Sequence, residues 1–215
     1  MLHPKGNLSG DMDFRNGNYF EDVRIFREIN SDFLVTIDKP LGQNFNVSFN
    51  FGGNRMDRRY QRNTGEAPEL AIPGVYNVAN SSVTPRVSNY YSLKRINSLY
   101  GFGQIGFKNA IFLDYSLRND WSSTLPKEHN SYLYPAVSLS AVLTDLLGID
   151  SKVLSFAKLR GSWAQVGGDT DPYQLEPTVA FGDGWNAGTK LLNLGAPNTM
   201  PNSQLKPQMN QSFEF

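Results

Sequence analysis

Alternation of apolar and polar residues is the strongest pattern in the chain. From residue 45 to residue 52 every odd position is apolar and every even position is small or polar, in the run Phe45-Asn46-Val47-Ser48-Phe49-Asn50-Phe51-Gly52. A period of two is typical of a β-strand with one apolar and one polar face. Residues 33–38 alternate as well, with Leu34 as an exception, and Pro40 and Gly42 lie between the two runs. Residues 23–52 are therefore predicted to form a β-hairpin.

Two further strand pairs are predicted downstream. Residues 99–107 and 111–117 alternate on either side of Lys108-Asn109, a two-residue turn in which Asn tolerates a left-handed backbone. Residues 133–143 and 157–164 also alternate, and the segment between them, 145–150, suits one helical turn. Residues 210–215 begin another strand. The pattern thus predicts about six strands and the start of a seventh.

The predicted connections alternate in length. Short links are expected at 39–43, 108–109 and 145–153, and long loops at about 53–90, 120–131 and 168–209. Loops longer than about 12–15 residues are uncommon in compact domains. Short turns at one end of the strands and long loops at the other end are typical of transmembrane β-barrels, where the turns are periplasmic and the loops extracellular.

Two architectures remain compatible with the alternation. In a soluble all-β carbohydrate-binding module the apolar faces would meet in a core, whereas in a membrane barrel they would meet lipid. Three features favour an all-β, antiparallel transmembrane β-barrel segment: strand lengths near the ~9–11 residues needed to cross a bilayer, charged residues in mid-strand on the polar faces, and aromatic residues near the strand ends. The charged residues are Asp114, Arg118, Lys158 and Arg160, and the aromatic ones are Tyr91, Tyr100, Trp121, Tyr132, Tyr134 and Trp163.

Composition excludes several other classes of protein. Twenty Lys+Arg balance twenty Asp+Glu, so there is no basic surplus of the kind that a nucleic-acid-binding protein shows. The absence of cysteine excludes disulfides, thiol catalysis and Cys-ligated zinc, and two histidines do not make a histidine-rich metal site. No apolar run approaches the roughly 20 residues of a membrane helix, and the first residues lack the apolar core of a signal peptide.

Several runs resemble one known family. They are Asn97-Ser98-Leu99-Tyr100-Gly101, Phe112-Leu113-Asp114, Arg118-Asn119-Asp120-Trp121-Ser122-Ser123-Thr124-Leu125-Pro126, Tyr134-Pro135-Ala136-Val137-Ser138, Leu159-Arg160-Gly161-Ser162-Trp163-Ala164-Gln165-Val166-Gly167 and Leu205-Lys206-Pro207. They resemble the barrel of the SusC/RagA-type TonB-linked outer-membrane transporters of Bacteroidetes. The resemblance covers most of residues 20–215, and its longest motif is the run from Arg118 to Pro126.

The resemblance implies an outer-membrane barrel of about 22 strands around an N-terminal plug. It also implies a SusD-like surface lipoprotein partner, energy from a TonB–ExbB–ExbD complex, contact with outer-membrane lipid and lipopolysaccharide, and an oligosaccharide or peptide substrate. No plug or TonB box is recognisable, and a lipid-facing sheet must close to satisfy its edges. Residues 1–215 are therefore expected to be part of such a barrel, without enzymatic activity and without a cofactor.

The long loops carry the candidate ligand contacts. Trp121, Trp185 and Tyr173 lie in or beside them, and exposed aromatic rings offer flat apolar faces to sugars or peptides. A charged cluster in the first loop could instead meet an anionic ligand or lipopolysaccharide phosphates, although a plain solvated loop is the simpler interpretation. Its members are Arg55, Asp57, Arg58, Arg59 and Arg62.

Other chemical motifs are weak. Residues 101–106 read G-x-G-x-x-G, but a turn and a strand follow where a dinucleotide site needs a helix, so a glycine-rich strand is expected. Asp169 and Asp171 make an incomplete calcium loop. The pairs Asp114 with Asp120 and Glu66 with Glu69 lack any other sign of a glycosidase, and Asp114 is expected to pair with Arg118 or Lys158. His129 is a lone histidine in a predicted loop, and no functional role is assigned to it.

Overall fold

Strict alternation along several strands produces a sheet whose two faces differ in chemistry, and the computed structural model has this architecture. It describes residues 2–3, 16–149, 153–176, 180–182, 193–195 and 200–215. Its strands are β1 (Leu2–His3), β2 (Asn18–Leu41), β3 (Phe45–Ala67), β4 (Arg86–Phe107), β5 (Ile111–Ser122), β6 (Ser131–Val142), β7 (Lys158–Gly168), β8 (Ala180–Gly182), β9 (Asn193–Gly195) and β10 (Gln208–Glu214).

One eight-stranded sheet holds most of these strands. Its order is β1-β2-β3-β4-β5-β6-β7-β10, and β8 pairs with β9 in a separate two-stranded sheet. Each β-strand of the main sheet thus lies beside its neighbour in sequence, except that β10 follows β7. The pairs β4–β5, β5–β6, β6–β7 and β7–β10 are all antiparallel. The all-β, antiparallel prediction is confirmed.

The short connections follow the prediction closely. Gly42 (φ 69°) lies in the turn between β2 and β3, and Lys108 (φ 50°) and Asn109 (φ 53°) both adopt the left-handed conformation between β4 and β5. The Ala110 amide closes that second turn on the Phe107 carbonyl at 3.0 Å. Between β6 and β7 lies a short helix, α1 (Leu143–Leu147), which ends at the left-handed Gly148.

The first long loop is much shorter than predicted. The sequence predicted a loop over 53–90, but β3 continues to Ala67 and β4 begins at Arg86. The loop is thus 68–85, which includes a 3-10 turn at Val78–Asn80. The prediction was wrong because residues 53–67 are polar on both faces and lack apolar alternation, whereas the backbone hydrogen bonds of a strand need no apolar side chain.

The chain divides into two compact units. Unit 1 is Met1–Ile29 with Arg58–Leu93, and unit 2 is Asn30–Asp57 with Lys94–Phe215. Strands β2, β3 and β4 contribute residues to both units. Every apolar alternation in the sequence lies in unit 2, although the predicted hairpin, residues 23–52, begins in unit 1.

Register in unit 2 separates the two kinds of side chain. Most odd positions in mid-strand pair apolar with apolar, as in Ile105 with Leu113 and Leu113 with Leu139. Many even positions pair polar with polar, as in Gln104 with Asp114 and Asp114 with Ser138, with Phe102 and Phe112 as exceptions. We call the side with the odd positions the apolar face and the side with the even positions the polar face. The apolar face consists of Phe33, Val35, Ile37, Phe45, Val47, Phe49, Phe51, Leu99, Ile105, Phe107, Leu113, Tyr115, Leu117, Leu133, Val137, Leu139, Leu159, Trp163 and Phe213.

Side chains on each face contact one another across strands. On the apolar face the rings of Phe45 and Phe107 lie 4.8 Å apart between centroids. On the polar face Thr36 donates to the Asn50 side-chain oxygen at 2.6 Å, and Asn54 donates to Asp32 at 2.7 Å. The parts of β2 and β3 in unit 2 therefore have one apolar and one polar face, as the later strands do.

The apolar face is not buried in a core. Phe49 is 40% exposed and Leu139 is 54% exposed, while Phe107 and Leu113 are half-buried. In the described part of the chain, the buried apolar residues are only Ala67, Leu70, Ala110, Leu125, Tyr132 and Val142. A soluble β-sandwich would bury this face between two packed sheets, so the face lacks the partner that the alternative architecture requires.

Candidate functional site

The polar face of unit 2 contains a concavity with a volume of about 480 Å³. Small side chains from four strands leave this space open: Ser116, Ala136, Ser138, Ser162, Ala164 and Ser212. Three charged side chains, Asp114, Arg160 and Glu214, line it as well. Such a surface offers hydrogen-bond donors, acceptors and both signs of charge to water or to a polar solute.

Two of these three charged groups, Asp114 and Arg160, have neutral partners. Gln104 donates its side-chain amide to Asp114 at 2.7 Å, and Arg160 donates to the Ser138 hydroxyl at 3.4 Å. The sequence predicted that Asp114 pairs with Arg118 or Lys158, and this was wrong. Asp114 lies directly opposite Gln104 in the β4–β5 register, whereas Arg118 has a closer acid on its own strand.

Arg118 is held between two tyrosine rings. Its guanidinium carbon lies 5.7 Å from the Tyr100 ring centre and 6.0 Å from that of Tyr134. Its Nε donates to Asp120 at 2.8 Å and its Nη2 to the Ser98 hydroxyl at 2.9 Å. Tyr134 in turn donates its hydroxyl to Asp120 at 2.5 Å. Hydrogen bonds and cation–π contacts together fix this cationic group on the polar face.

A second network joins the start of the last long loop to two distant strands. Asp169 follows β7, yet it accepts a hydrogen bond from Lys94 of β4 at 2.6 Å and another from the Ser122 hydroxyl of β5. Thr124 donates to the same carboxylate at 3.1 Å. Lys94 and Asp169 retain only 11% and 10% side-chain exposure. We call these four residues the Lys94–Asp169 network.

These two networks explain the longest sequence motif. Arg118, Asp120, Ser122 and Thr124 are alternate residues, so the three within β5 project from the same face of the strand. In the sequence, this motif indicated a family resemblance, but no structural role was predicted for its alternate polar positions. The signal was present, because a polar period of two inside an otherwise apolar strand marks one face.

The described residues give no support to a metal or nucleotide site. Asp169, half of the weak calcium motif, is occupied by Lys94 and two hydroxyls. No group of three or more metal-binding side chains occurs in the part of the chain that the structure describes. The glycines of the G-x-G-x-x-G run all lie inside strand β4, so the run is a glycine-rich strand, as predicted. A Cβ at Gly103 would approach the Tyr115 hydroxyl to 2.7 Å, so at this position glycine allows close strand packing.

The three aromatic candidates for ligand contact are placed differently. Trp121 lies at the end of β5 on the same side as the apolar face, opposite Asn97 and Ser131. Tyr173 lies in the loop after β7 with a left-handed backbone (φ 64°) and is exposed. Trp185 lies outside the described residues. No ring contact joins Trp121 to Tyr173 among the described aromatic pairs.

The arginine cluster lies on strand β3, so the prediction that it belongs to a loop was wrong. Arg59 lies over the Tyr91 ring, and the other arginines of the cluster form ion pairs. In unit 1, Arg58 bonds Glu28 at 2.8 Å and Arg62 bonds Asp22 at 3.0 Å. The hydrogen bonds from Arg24 and Arg62 lower the pKa of Asp22 to about 2. In unit 2, Arg55 bonds Asp57 at 2.8 Å. The pairs of Arg58 and Arg62 join β3 to the neighbouring strand β2, whereas Arg55 and Asp57 both lie on β3.

The carboxylate pairs considered for hydrolysis have separate partners. Glu66 forms an ion pair with Arg86 at 3.7 Å, and Glu69 accepts from the Asn16 side chain at 3.3 Å. Asp114 and Asp120 bond Gln104 and Arg118, respectively. Among the described residues, no helix is both long and apolar enough to cross a membrane.

Comparisons with known proteins agree with this architecture. No family model and no curated protein matches the sequence. The solved structures that it resembles include the RagAB peptide transporter (TM-score 0.78, 15% identity, 98% of this chain) and the RagAB peptide importer in its closed-closed state (0.74, 16%, 90%) and open-open state (0.69, 16%, 90%). The chain spans 22–23% of the length of those chains. The resemblance to SusC/RagA barrels that the motifs indicated is confirmed at the level of the fold.

Proposed function

We propose that this chain forms part of the wall of an outer-membrane, TonB-dependent active transporter of the SusC/RagA type. The sheet would contribute a lipid-facing surface, an aqueous inner surface and extracellular loops, with no covalent chemistry of its own. The observation that carries the proposal is the exposed apolar face, which runs across the strands of unit 2 opposite a polar face. A contiguous apolar surface of this kind is unfavourable in water and favourable against hydrocarbon, as on the outer side of a membrane barrel.

The likeness to the RagAB structures supports a role in import of nutrients too large for simple pores. The proposed substrate is a peptide or an oligosaccharide, because the small, polar and charged residues around the concavity can hydrogen-bond to either. Trp185 and Tyr173 remain proposed substrate contacts, whereas Trp121 lies on the side of the apolar face, which this proposal assigns to lipid. A SusD-like lipoprotein and a TonB–ExbB–ExbD complex are the proposed partners, together with outer-membrane lipid and lipopolysaccharide.

Cysteine labelling distinguishes the two faces. This segment contains no cysteine, so Leu139→Cys on the apolar face and Ser138→Cys on the polar face would introduce single thiols in the segment at adjacent positions of β6. The full polypeptide that carries the segment is labelled in native membranes with a water-soluble maleimide and with a lipid-soluble one. We expect the Leu139→Cys thiol to react only with the lipid-soluble reagent and the Ser138→Cys thiol with the water-soluble one.

The opposite result has a clear meaning. If both thiols react with the water-soluble reagent, or if the polypeptide fractionates without membranes as a monodisperse protein, the transporter proposal is wrong. That result would favour the soluble carbohydrate-binding module, and its apolar face would have to be covered by another sheet.

A further inference from the structure

Two arginines and one aspartate lie beyond the apolar face on its own side of the sheet. Arg55 and Asp57 continue the odd positions of β3 after Phe51, and Arg95 continues the odd positions of β4 before Leu99. From residue 94 to residue 99 the odd residues are exposed and the even ones are buried or half-buried. We call Arg55, Asp57 and Arg95 the rim cluster.

The rim cluster carries an excess positive charge. Arg55 Nε lies 2.8 Å from one oxygen of Asp57, and Arg95 Nε lies 2.6 Å from the other oxygen. Two guanidinium groups share one carboxylate, so one positive charge is left over. The terminal nitrogens of both arginines make no protein hydrogen bond within the described residues, and both side chains are 52% exposed. These nitrogens are free to donate to an external anion.

The position of Arg95 is fixed by the long motif. Its amide donates to the Ser123 hydroxyl and its carbonyl accepts from the Ser123 amide, both at 2.9 Å. This pairing extends the β4–β5 register by one step beyond Ile96 and Ser122. Trp121 lies on the same side, opposite Asn97. An amphipathic indole and two guanidinium groups thus adjoin an exposed apolar surface.

We propose that the rim cluster binds the phosphate of a phosphorylated glycolipid whose acyl chains lie against the apolar face. The guanidinium group presents a planar fork of donors that matches phosphate oxygens. Tryptophan is favoured where an apolar region meets water. Continuity with the apolar face selects a lipid-borne phosphate over a free anion, because the acyl chains would cover Phe51 and Leu99 at the same time. This inference rests on the proposed function and adds the residues that contact the headgroup.

Native mass spectrometry of the full polypeptide in a non-ionic detergent tests the proposal. Three probes are compared: monophosphoryl lipid A, the same lipid without its phosphate, and inorganic phosphate as a competitor at equal concentration. We expect the wild type to bind the phosphorylated lipid roughly tenfold or more tightly than the dephosphorylated one, as the loss of a charge-assisted hydrogen bond predicts. Inorganic phosphate should not displace the lipid.

Three variants sharpen the test. Arg55→Gln with Arg95→Gln should abolish the preference for the phosphorylated lipid. Asp57→Asn should strengthen binding, by about threefold, because it removes the competing carboxylate. Lys127→Gln is the matched control, since it deletes one positive charge from an exposed loop residue and should leave binding unchanged.

Each outcome separates this inference from the proposed function. Equal binding of both lipids by the wild type, or displacement by inorganic phosphate, would overturn the glycolipid site and leave the transporter proposal standing. The comparison of the two lipids needs no variant, so it decides the matter even if an arginine variant does not fold. A polypeptide that purifies from the soluble fraction without detergent would overturn both.

Discussion

Strand β3 passes through both compact units, and its two parts differ sharply. In unit 2 it places Phe45, Phe49 and Phe51 on one exposed side. In unit 1, from Arg58 onward, it carries arginines whose partners are acids on β2, as in Arg58 with Glu28 and Arg62 with Asp22. Both parts are regular strand. The difference shows that the apolar alternation reports the surroundings of a strand and not whether the backbone forms one.

The largest expected effect concerns the ion pairs of the two units. Lys94→Met in unit 2 leaves Asp169 without its cation in a site where both side chains are nearly buried, so we expect a loss of about 3–5 kcal/mol in the free energy of unfolding. Arg86→Met in unit 1 removes a 3.7 Å pair whose arginine is 74% exposed, and should cost about 1 kcal/mol or less. Urea unfolding of the full polypeptide in lipid vesicles measures both.

A double variant controls for the lost lysine side chain. Lys94→Met with Asp169→Asn removes the buried charge as well as its partner, and it should be less destabilised than Lys94→Met alone. Equal losses for Lys94→Met and Arg86→Met would mean that the Lys94–Asp169 network is no more buried in the assembled protein than a surface pair.

A charge introduced on the apolar side should destabilise unit 2 more than unit 1, by a smaller amount than the loss of the Lys94 ion pair. Leu139 lies in mid-strand between Leu113 and Gly161, so Leu139→Arg should cost about 2–4 kcal/mol if this face meets the bilayer interior. Ile25 is an exposed apolar residue of β2 in unit 1, and Ile25→Arg should change stability by about 0.5 kcal/mol or less. The same unfolding assay in vesicles applies, and a neutral Leu139→Arg would contradict a lipid-facing assignment.

The smallest expected effect is the pH dependence that Asp22 contributes in unit 1. The hydrogen bonds from Arg24 and Arg62 lower the pKa of Asp22 to about 2, below the ordinary value near 3.9. A lowered pKa stabilises the folded state above the unfolded value, and this contribution is lost as the pH falls from about 4 toward 2. Titration of the ¹³C-labelled carboxyl group should show the midpoint near 2 in the wild type.

The matched variants test the origin of this shift. Arg62→Gln removes one donor and should move the Asp22 midpoint upward. Arg55→Gln removes an arginine of the same strand that belongs to unit 2 and bonds Asp57 instead, so it should leave the midpoint where it is. A shift of equal size in both variants would point to the general charge of the strand instead of the hydrogen bonds.

Strand existence and strand extent were predicted with different success. The hairpin turn at Lys108-Asn109 and the faces of β5 and β6 are as predicted, because turn chemistry and apolar alternation are local. The outer parts of β3 and β4 were predicted as loop, because their stability comes from partners far away in sequence, such as Asp22 for Arg62. The order of apolar and polar residues within one strand does not show which residues of another strand will pair with it.

The candidate site shows the same division. The polar face could be predicted, because its residues are the even positions of alternating strands. The contact of Asp169 with Lys94 could not be predicted, since it joins a residue of β4 to one that follows β7, 75 positions later, and these two strands are not neighbours in the sheet. The sequence also placed Trp121 beside a long loop, and only the register shows that it shares a side with the apolar face.

By itself the sequence determined that this is an antiparallel sheet with one apolar and one polar side, because short turns join consecutive strands and a strand points successive side chains to opposite faces. The tertiary structure decided which side remains exposed and which charges meet. It did so because burial and ion pairing depend on the neighbours that the sheet brings together, and those neighbours lie in other strands.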